Sequence, residues 1–369
     1  MRENFRVIIS GGGTGGHIFP AISIADAIKK LYPDSEILFV GALGKMEMER
    51  VPAAGYKIVG LPVAGLKRKL DIDNLKLPFR ILKSLKMAGK IIDDFKPDAV
   101  VGVGGYASGP ILWMAGQRGI PYLIQEQNSF AGLTNRILGR RAKKICVAYE
   151  GMERFFYANK ILITGNPVRA GIVETTSENK DAAIEFFGLD PQKKTILVVG
   201  GSLGARTLNS CIKNWITDNI ESNIQIIWQY GKFYKADITA FMEKNKRDYI
   251  KESEFIKRMD HAFAAADVVI TRAGAGTISE LCIAKKACIF VPSPNVTEDH
   301  QTHNAMALVN KKAALLVEDS DAEKRLMDIA VTLAEDPKRV AEMEHNISGL
   351  AYSNSAETIA KEVINLIVK

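Results

Sequence analysis

The strongest constraint on how this chain can fold is an arrangement that occurs twice: a short β-branched run, a glycine-rich turn directly after it, and then a segment of helical periodicity. In the first half Arg6–Ser10 runs into Gly11-Gly12-Gly13-Thr14-Gly15-Gly16 and the helix-period stretch Ile18–Leu31, and in the second Thr195–Val199 runs into Gly200-Gly201-Ser202-Leu203-Gly204. Strand, tight turn and crossover helix make the parallel βαβ unit, and a sheet built from such units needs helices on both faces. The alternation continues at Glu36–Val40, Ala99–Val103, Tyr122–Gln125, Lys144–Ala148 and Ile161–Thr164, then at Ile224–Gln229, Asp267–Thr271, Ala287–Val291 and Ala314–Val317. The expectation is an α/β protein of two Rossmann-like, doubly wound parallel sheets, and 369 residues suit two domains. The turn-forming Gly165-Asn166-Pro167 marks the crossing and gives domains at 1–166 and 167–349. After a break at Gly349 to Ser355, a last helix within 350–369 is expected to pack back on the first domain.

The chain carries 49 Lys and Arg against 42 Asp and Glu, and most of the +7 excess is local. Between Leu61 and Ile92 lie Lys67, Arg68, Lys69, Lys76, Arg80, Lys83, Lys86 and Lys90 against Asp71 and Asp73, interleaved with Leu66, Leu70, Phe79, Ile81 and Leu82. That mixture suits an interfacial surface facing anionic headgroups, or a core helix with a solvated basic face. No aromatic stacking motif accompanies it, which disfavours nucleic acid as a partner. Cys146, Cys211, Cys282 and Cys288 form no CxxC pair and sit in apolar stretches, as reduced core thiols of a cytoplasmic protein do. The charged N-terminus predicts no secretory signal, and no uncharged apolar run approaches the roughly 18 residues of a spanning helix.

Glycine turns at helix starts admit close approach of a ligand to backbone amides. Gly11, Gly13 and Gly16 satisfy G-x-G-x-x-G, but a dinucleotide site wants an acid ending the second strand, and here Gly41 follows Val40. The Walker pattern fails too, because no Lys-Ser or Lys-Thr follows the glycines. A second turn, Gly104-Gly105-Tyr106-Ala107-Ser108-Gly109-Pro110, suggests with the first a large polar ligand such as a diphosphate. Tight packing of turn against helix is the structural alternative for all three glycine loops. Ser202 is a natural phosphate partner. Arg272-Ala273-Gly274-Ala275-Gly276-Thr277-Ile278-Ser279-Glu280 places small residues before a helix, with a carboxylate that suits both hydroxyls of a ribose or simply complements the helix dipole. Asp299-His300-Gln301-Thr302-His303-Asn304 is a polar cluster suited to sugar hydroxyls.

Seven motifs occur together and in order: GGGTGGH at Gly11–His17, GGYASGP at Gly104–Pro110, EQN at Glu126–Asn128, TGNPVR at Thr164–Arg169, GGSLGAR at Gly200–Arg206, RAGAGTISE at Arg272–Glu280 and DHQTHNA at Asp299–Ala305. As a set they resemble the MurG family of peptidoglycan glycosyltransferases, family 28, over nearly the whole chain. The resemblance implies a GT-B fold, two Rossmann-like domains facing across a cleft, with acceptor mainly on the first and donor mainly on the second. It implies inverting, metal-independent and cofactor-free transfer of N-acetylglucosamine from UDP-N-acetylglucosamine to the 4-hydroxyl of the muramoyl sugar of undecaprenyl-diphospho-muramoylpentapeptide, lipid I. The implied setting is the cytoplasmic face of the inner membrane, with an anionic membrane surface as a further partner. The D-x-D at Asp71-Ile72-Asp73 sits in the basic segment and not after a strand, and no His or Cys cluster joins His300 and His303, so no metal site is expected.

By the same resemblance, Thr14, Gly15 and Gly16 approach the donor sugar and diphosphate, and Asn128 bonds an N-acetylglucosamine hydroxyl. Arg169 and Ser202 hold the diphosphate, with Arg206 and Arg272 as second choices. Ile256 meets the uracil by main chain, Ala275, Gly276, Thr277, Ile278 and Ser279 line the nucleotide, Glu280 clamps the ribose and Gln301 reads the sugar. His17 is the candidate general base, since an imidazole with an ordinary pKa of about 6.5 accepts a proton near neutral pH; its alternative is a neutral ring that positions substrate. Two competing functions share the architecture or the ligand: a non-hydrolysing UDP-N-acetylglucosamine 2-epimerase and a catalytically silent UDP-sugar-binding protein.

Overall fold

The computed structural model describes residues 4–63, 77–168, 171–172, 174–218, 221–296 and 299–368, with side chains in the second stretch described from residue 79. The chain divides into two compact units, 1–169 with 352–369, and 170–351. The first contains β1 (Arg6–Ser10), α1 (Gly15–Leu31), β2 (Glu36–Ala42), α2 (Glu47–Ala53), β3 (Lys57–Leu61), α3 (Leu77–Phe95), β4 (Ala99–Gly102), α4 (Ser108–Gln117), β5 (Tyr122–Glu126), α5 (Leu133–Gly139), β6 (Lys144–Val147) and β7 (Ile161–Ile163). The second contains α6 (Ser177–Phe187), β8 (Lys194–Val199), α7 (Arg206–Asp218), β9 (Ile224–Gln229), α8 (Lys235–Lys244), β10 (Ile250–Ser253), α9 (Met259–Ala265), β11 (Val268–Thr271), α10 (Ala275–Ala284), β12 (Cys288–Phe290), α11 (His300–Val309), β13 (Leu315–Leu316), α12 (Ala322–Ala334) and α13 (Pro337–Ser348). The last helix, α14 (Ser355–Val368), belongs to the first unit.

Both sheets are parallel throughout, in the orders β3-β2-β1-β4-β5-β6-β7 and β10-β9-β8-β11-β12-β13. Strand periodicity sorts the first core into two layers. Val7, Ile9, Val101 and Leu123 pack with Ile18, Ile24 and Ile28 of α1 and with Ile359, Ala360 and Val363 of α14. Ile8, Val100 and Ile124 point the other way, onto Ala88 and Ile92 of α3 and Ile111 and Leu112 of α4. Each fully buried Ile or Val contributes about 1.5–3 kcal/mol, so Ile359 and Val363, with Ala360 packed between them in sequence, make α14 a structural part of the first unit. The second sheet buries Ile196, Val198, Trp228 and Ile270 against α7 and α12.

The four cysteines are buried thiols, and burial pushes Cys211 and Cys282 up to about 12, which keeps them protonated and unreactive. A buried cation stands out beside them. Lys286, 3% exposed ahead of β12, donates to the Ala266 carbonyl at 2.8 Å, and burial pulls its ammonium down to about 8. Between about 8 and the ordinary 10.5 the unfolded chain therefore binds more protons than the folded one, so stability rises with pH across that window. The gain is at most about 3 kcal/mol. Lys286→Met should flatten this rise, measured by urea melts at pH 7.5 and 10; equal slopes in both proteins would place the lysine outside the response.

Candidate active site

In a doubly wound sheet, ligands sit at the carboxyl ends of the strands where the strand order reverses. In the first unit that point lies between β1 and β4, whose exits are the first two glycine turns. The turns interlock. A Cβ on Gly105 would lie 2.4 Å from the Gly12 carbonyl oxygen, and one on Gly11 would lie 2.2 Å from Cγ2 of Val103. Tight packing thus accounts for these glycines, whereas Gly16 is exposed with only the Thr14 hydroxyl near it.

A buried acid from α2 does come to the end of β2, engaged by backbone amides. Glu47, 1% exposed, accepts from the Gly13 amide and from the Ala42 amide, each at 2.9 Å. Gly41 makes the room, because a Cβ there would lie 2.6 Å from Cγ of Glu47. A phosphate at Gly13 would meet this carboxylate at close range, so the turn suits an uncharged sugar better than a diphosphate.

His17, in the first turn of α1, is half-buried, with Nδ1 3.1 Å from the Gly12 carbonyl oxygen and 3.2 Å from Oγ1 of Thr14. A carbonyl only accepts, so Nδ1 carries the proton and Nε2 is the basic nitrogen of the neutral ring. Nε2 lies alongside Gly104, where a Cβ would come within 2.9 Å of it and 3.7 Å of Nδ2 of Asn135. Asn135 in turn donates to Glu126 at 2.9 Å, and Glu126 also accepts from the Asn128 amide at 3.0 Å and the Gly132 amide at 3.1 Å. Burial pushes the Glu126 carboxyl up, against the pull of those hydrogen bonds. The strand exit carrying Asn128 is thereby fixed to α5.

In the second unit the reversal lies between β8 and β11. Ser202 is exposed in the turn after β8, and that turn is braced by the β9 exit: Lys232 N donates to the Ser202 carbonyl at 3.1 Å. Ala275, Gly276 and Thr277 form the first turn of α10, whose amides have no partner within the helix. Ser279 donates back to the Ala275 carbonyl at 3.0 Å, and Ile278 is buried. Glu280 is buried in the second turn. Gln301, at the start of α11, accepts from the Ser293 amide at 2.8 Å, and its Nε2 donates to no group among the described residues. Ile256, at the β10 exit, donates its amide to Oε1 of Gln229 at 2.9 Å, while its carbonyl accepts from no group among the described residues. Arg272 is not offered to a diphosphate: it is paired with Asp319 and donates to the Val291 carbonyl at 2.9 Å. Arg206 is exposed at the start of α7, and Arg169 lies outside the described residues.

Thr14, Gly15, Gly16, His17 and Asn128 therefore share one sheet edge in the first unit. Ser202, Ile256, the stretch Ala275 to Glu280, and Gln301 share the equivalent edge in the second. Glu47 and Gln229 were not singled out by the sequence. Glu47 acts across a strand from its own, and Gln229 reads there as a strand residue. Among the described residues no three His, Cys, Asp or Glu side chains converge into a metal-ligand set, and no helix is long and apolar enough to cross a membrane.

Comparison with known proteins adds three findings. A family model described as the glycosyltransferase family 28 N-terminal domain matches residues 7–147, and one described as the family 28 C-terminal domain matches residues 195–363. The chain is 56% identical, over 100% of both chains, to the protein of Parabacteroides distasonis named UDP-N-acetylglucosamine--N-acetylmuramyl-(pentapeptide) pyrophosphoryl-undecaprenol N-acetylglucosamine transferase. It is also 56% identical to the protein of that name from Phocaeicola vulgatus, over 99% of this chain and 97% of the relative. Among solved structures, MurG of Acinetobacter baumannii matches with a TM-score of 0.79 at 30% identity, over 98% of this chain and 99% of that one. A UDP-N-acetylglucosamine 2-epimerase matches at 0.63 with 15% identity, over 98% of this chain and 96% of that one, a likeness of fold alone.

Proposed function

The chain belongs to glycosyltransferase family 28, and on that footing we propose that it transfers N-acetylglucosamine from UDP-N-acetylglucosamine to undecaprenyl-diphospho-muramoylpentapeptide, converting lipid I to lipid II. The observation that carries this reading is full-length identity of 56% to relatives bearing that activity in their names. The same fold without that identity, in the 2-epimerase, would not separate the two reactions.

In this proposal the second unit holds the donor. The exposed Ser202 turn and the first-turn amides of α10 receive the diphosphate, Arg169 adds a positive charge, Glu280 takes the ribose, the Ile256 carbonyl accepts from N3–H of uracil, and Gln301 donates to a sugar hydroxyl. The first unit receives the acceptor. His17 Nε2 takes the proton of the muramoyl 4-hydroxyl as its oxygen attacks the anomeric carbon, and the bond to UDP breaks on the opposite face, inverting the configuration. Charge growing on the leaving diphosphate is met by fixed amides and the Ser202 hydroxyl, a stabilisation that needs no cation. Asn128 and Thr14 orient the sugars, with Glu126 fixing Asn128.

The test is transfer of labelled N-acetylglucosamine to a short-chain lipid I analogue in the presence of a chelator, with an acceptor-free control. Acceptor-dependent, β-linked product is expected. Conversion of donor without acceptor would establish the epimerase reading instead, and loss of product in chelator would overturn the metal-independent mechanism.

A polyprenyl acceptor is met at a bilayer, and we place the protein peripherally on its cytoplasmic face. In support, α3 turns Phe79, Ile81 and Leu82 to solvent, Phe79 being 75% exposed, beside exposed Lys83, Lys86 and Lys90. Lys67, Arg68 and Lys69 lie outside the described residues. Each basic side chain near an anionic surface contributes about 1 kcal/mol. Reversing Lys83, Lys86 and Lys90 to Glu should lower partitioning onto anionic vesicles by at least about a hundredfold, read by co-sedimentation. Undiminished binding would move the membrane contact elsewhere.

A further inference from the structure

The β9 exit is stitched to a neighbour on each side. On one side Lys232 N and Phe233 N donate to the carbonyls of Ser202 and Leu203, at 3.1 and 3.3 Å, and the backbones touch so closely that a Cβ on Gly231 would lie 2.1 Å from the Gly204 nitrogen. On the other side Tyr230 N and Gly231 N donate to the carbonyls of Ser253 and Glu254, at 3.0 and 3.2 Å. One side chain spans both contacts. Gln229, the last residue of β9 and 2% exposed, donates from Nε2 to the Gly201 carbonyl at 3.0 Å and accepts at Oε1 from the Ile256 amide at 2.9 Å.

We propose that Gln229 is a positioning residue for donor recognition: its carboxamide fixes the Phe255–Ile256 peptide, and so the aim of the neighbouring Ile256 carbonyl at the base, in register with the turn that receives the diphosphate. The inference rests on the donor site proposed above. A carboxamide suits this task because one planar group offers a donor and an acceptor in opposite directions, and its burial leaves neither end a solvent substitute. Leu at this position fills similar volume but leaves the Ile256 amide unsatisfied and the Gly201 carbonyl tied only to the Gly204 amide of its own turn, at 3.1 Å, so the link between the two segments is lost. Glu keeps the acceptor but, when ionised, sets a carboxylate against the Gly201 carbonyl; protonation restores the donor.

The experiment measures UDP and CDP affinity by calorimetry, and donor and acceptor KM, for the wild type, Gln229→Leu and Gln229→Glu. CDP is the informative probe, because cytosine replaces the N3–H donor of uracil with an acceptor and so cannot satisfy a carbonyl. For Gln229→Leu, UDP affinity should fall and donor KM rise about tenfold, which is about 1.4 kcal/mol, with acceptor KM unchanged and the preference for UDP over CDP reduced by a similar factor. Gln229→Glu should show the same loss at pH 8 and recover UDP affinity as the pH is lowered. A buried group with a purely structural role would lower the melting temperature and leave the UDP/CDP ratio and the pH profile as in the wild type; that result overturns the inference. Should Gln229→Leu fail to fold, the pH response of Gln229→Glu decides alone, recovery supporting the inference and a flat profile overturning it. A wild type with no preference for UDP would overturn the donor site itself, a failure distinguishable from one confined to Gln229.

Discussion

Replacing His17 by Ala should lower kcat by about 10²–10⁴-fold, the usual worth of a general base, and change UDP affinity by less than about threefold. The split follows from placement. His17 stands on the first unit, with Nδ1 at the Gly12 carbonyl and the Thr14 hydroxyl, whereas the nucleotide is proposed to bind the second. Its protonation pattern is set before substrate arrives, because the Gly12 carbonyl engages Nδ1 and leaves Nε2 as the proton acceptor. Stopped-time assays with saturating donor measure the effect, and a variant turning over at the wild-type rate would remove His17 from the chemistry. A tenfold loss confined to acceptor KM would instead make it a residue that positions the sugar.

Gly105→Ala is the second substitution of large expected effect. Its Cβ would enter the Gly12 backbone at 2.4 Å, and φ at Gly105 is +82°, so the β1 and β4 exits cannot both keep their positions. We expect a loss of about 3 kcal/mol or more and a melting temperature lower by roughly 6–12 °C. Turnover should fall as well, because the Gly12 carbonyl that orients His17 moves with the turn. Gly119→Ala provides the contrast: φ there is +72°, but nothing lies within 4 Å of the added atom. It carries only the backbone term, about 1–2 kcal/mol. Equal melting temperatures for the two variants would mean that steric interlock adds nothing at Gly105.

Most of the fold was legible because parallel strands buried on both faces read as continuous β-branched runs, as Arg6–Ser10 and Thr195–Val199 do. The two strands missed, Lys57–Leu61 and Ile250–Ser253, lie at the edges of their sheets. An edge strand needs less apolar surface, and these carry Lys57 and Gly60, or Lys251, Glu252 and Ser253, where a central strand would carry Val or Ile. The candidate site was legible as a set of strand exits where residues stand beside one another in the chain, as in Gly11–His17 and Ala275 to Glu280. It was not legible where one group completes another from a distance. Glu47 reaches its turn past Gly41, and Gln229 joins two loops that lie 55 residues apart, from Gly201 to Ile256. Arg272 shows the converse, since a basic residue in a binding motif is taken up by Asp319.

The return of α14 to the first sheet has a consequence for how the molecule is made. The first unit starts to emerge from the ribosome before the second but is finished after it, because Ile359, Ala360 and Val363 follow the whole second unit along the chain. At about 5–20 residues per second, on the order of 10–40 s separates the emergence of β7 from that of α14. Throughout that interval the sheet face bearing Val7, Ile9 and Leu123 lacks part of its cover, while the second unit, continuous in sequence from 170 to 351, can complete its own core. Nascent chains stopped before residue 352 should thus present a folded second unit joined to a first unit that still exposes a sticky apolar strip to chaperones.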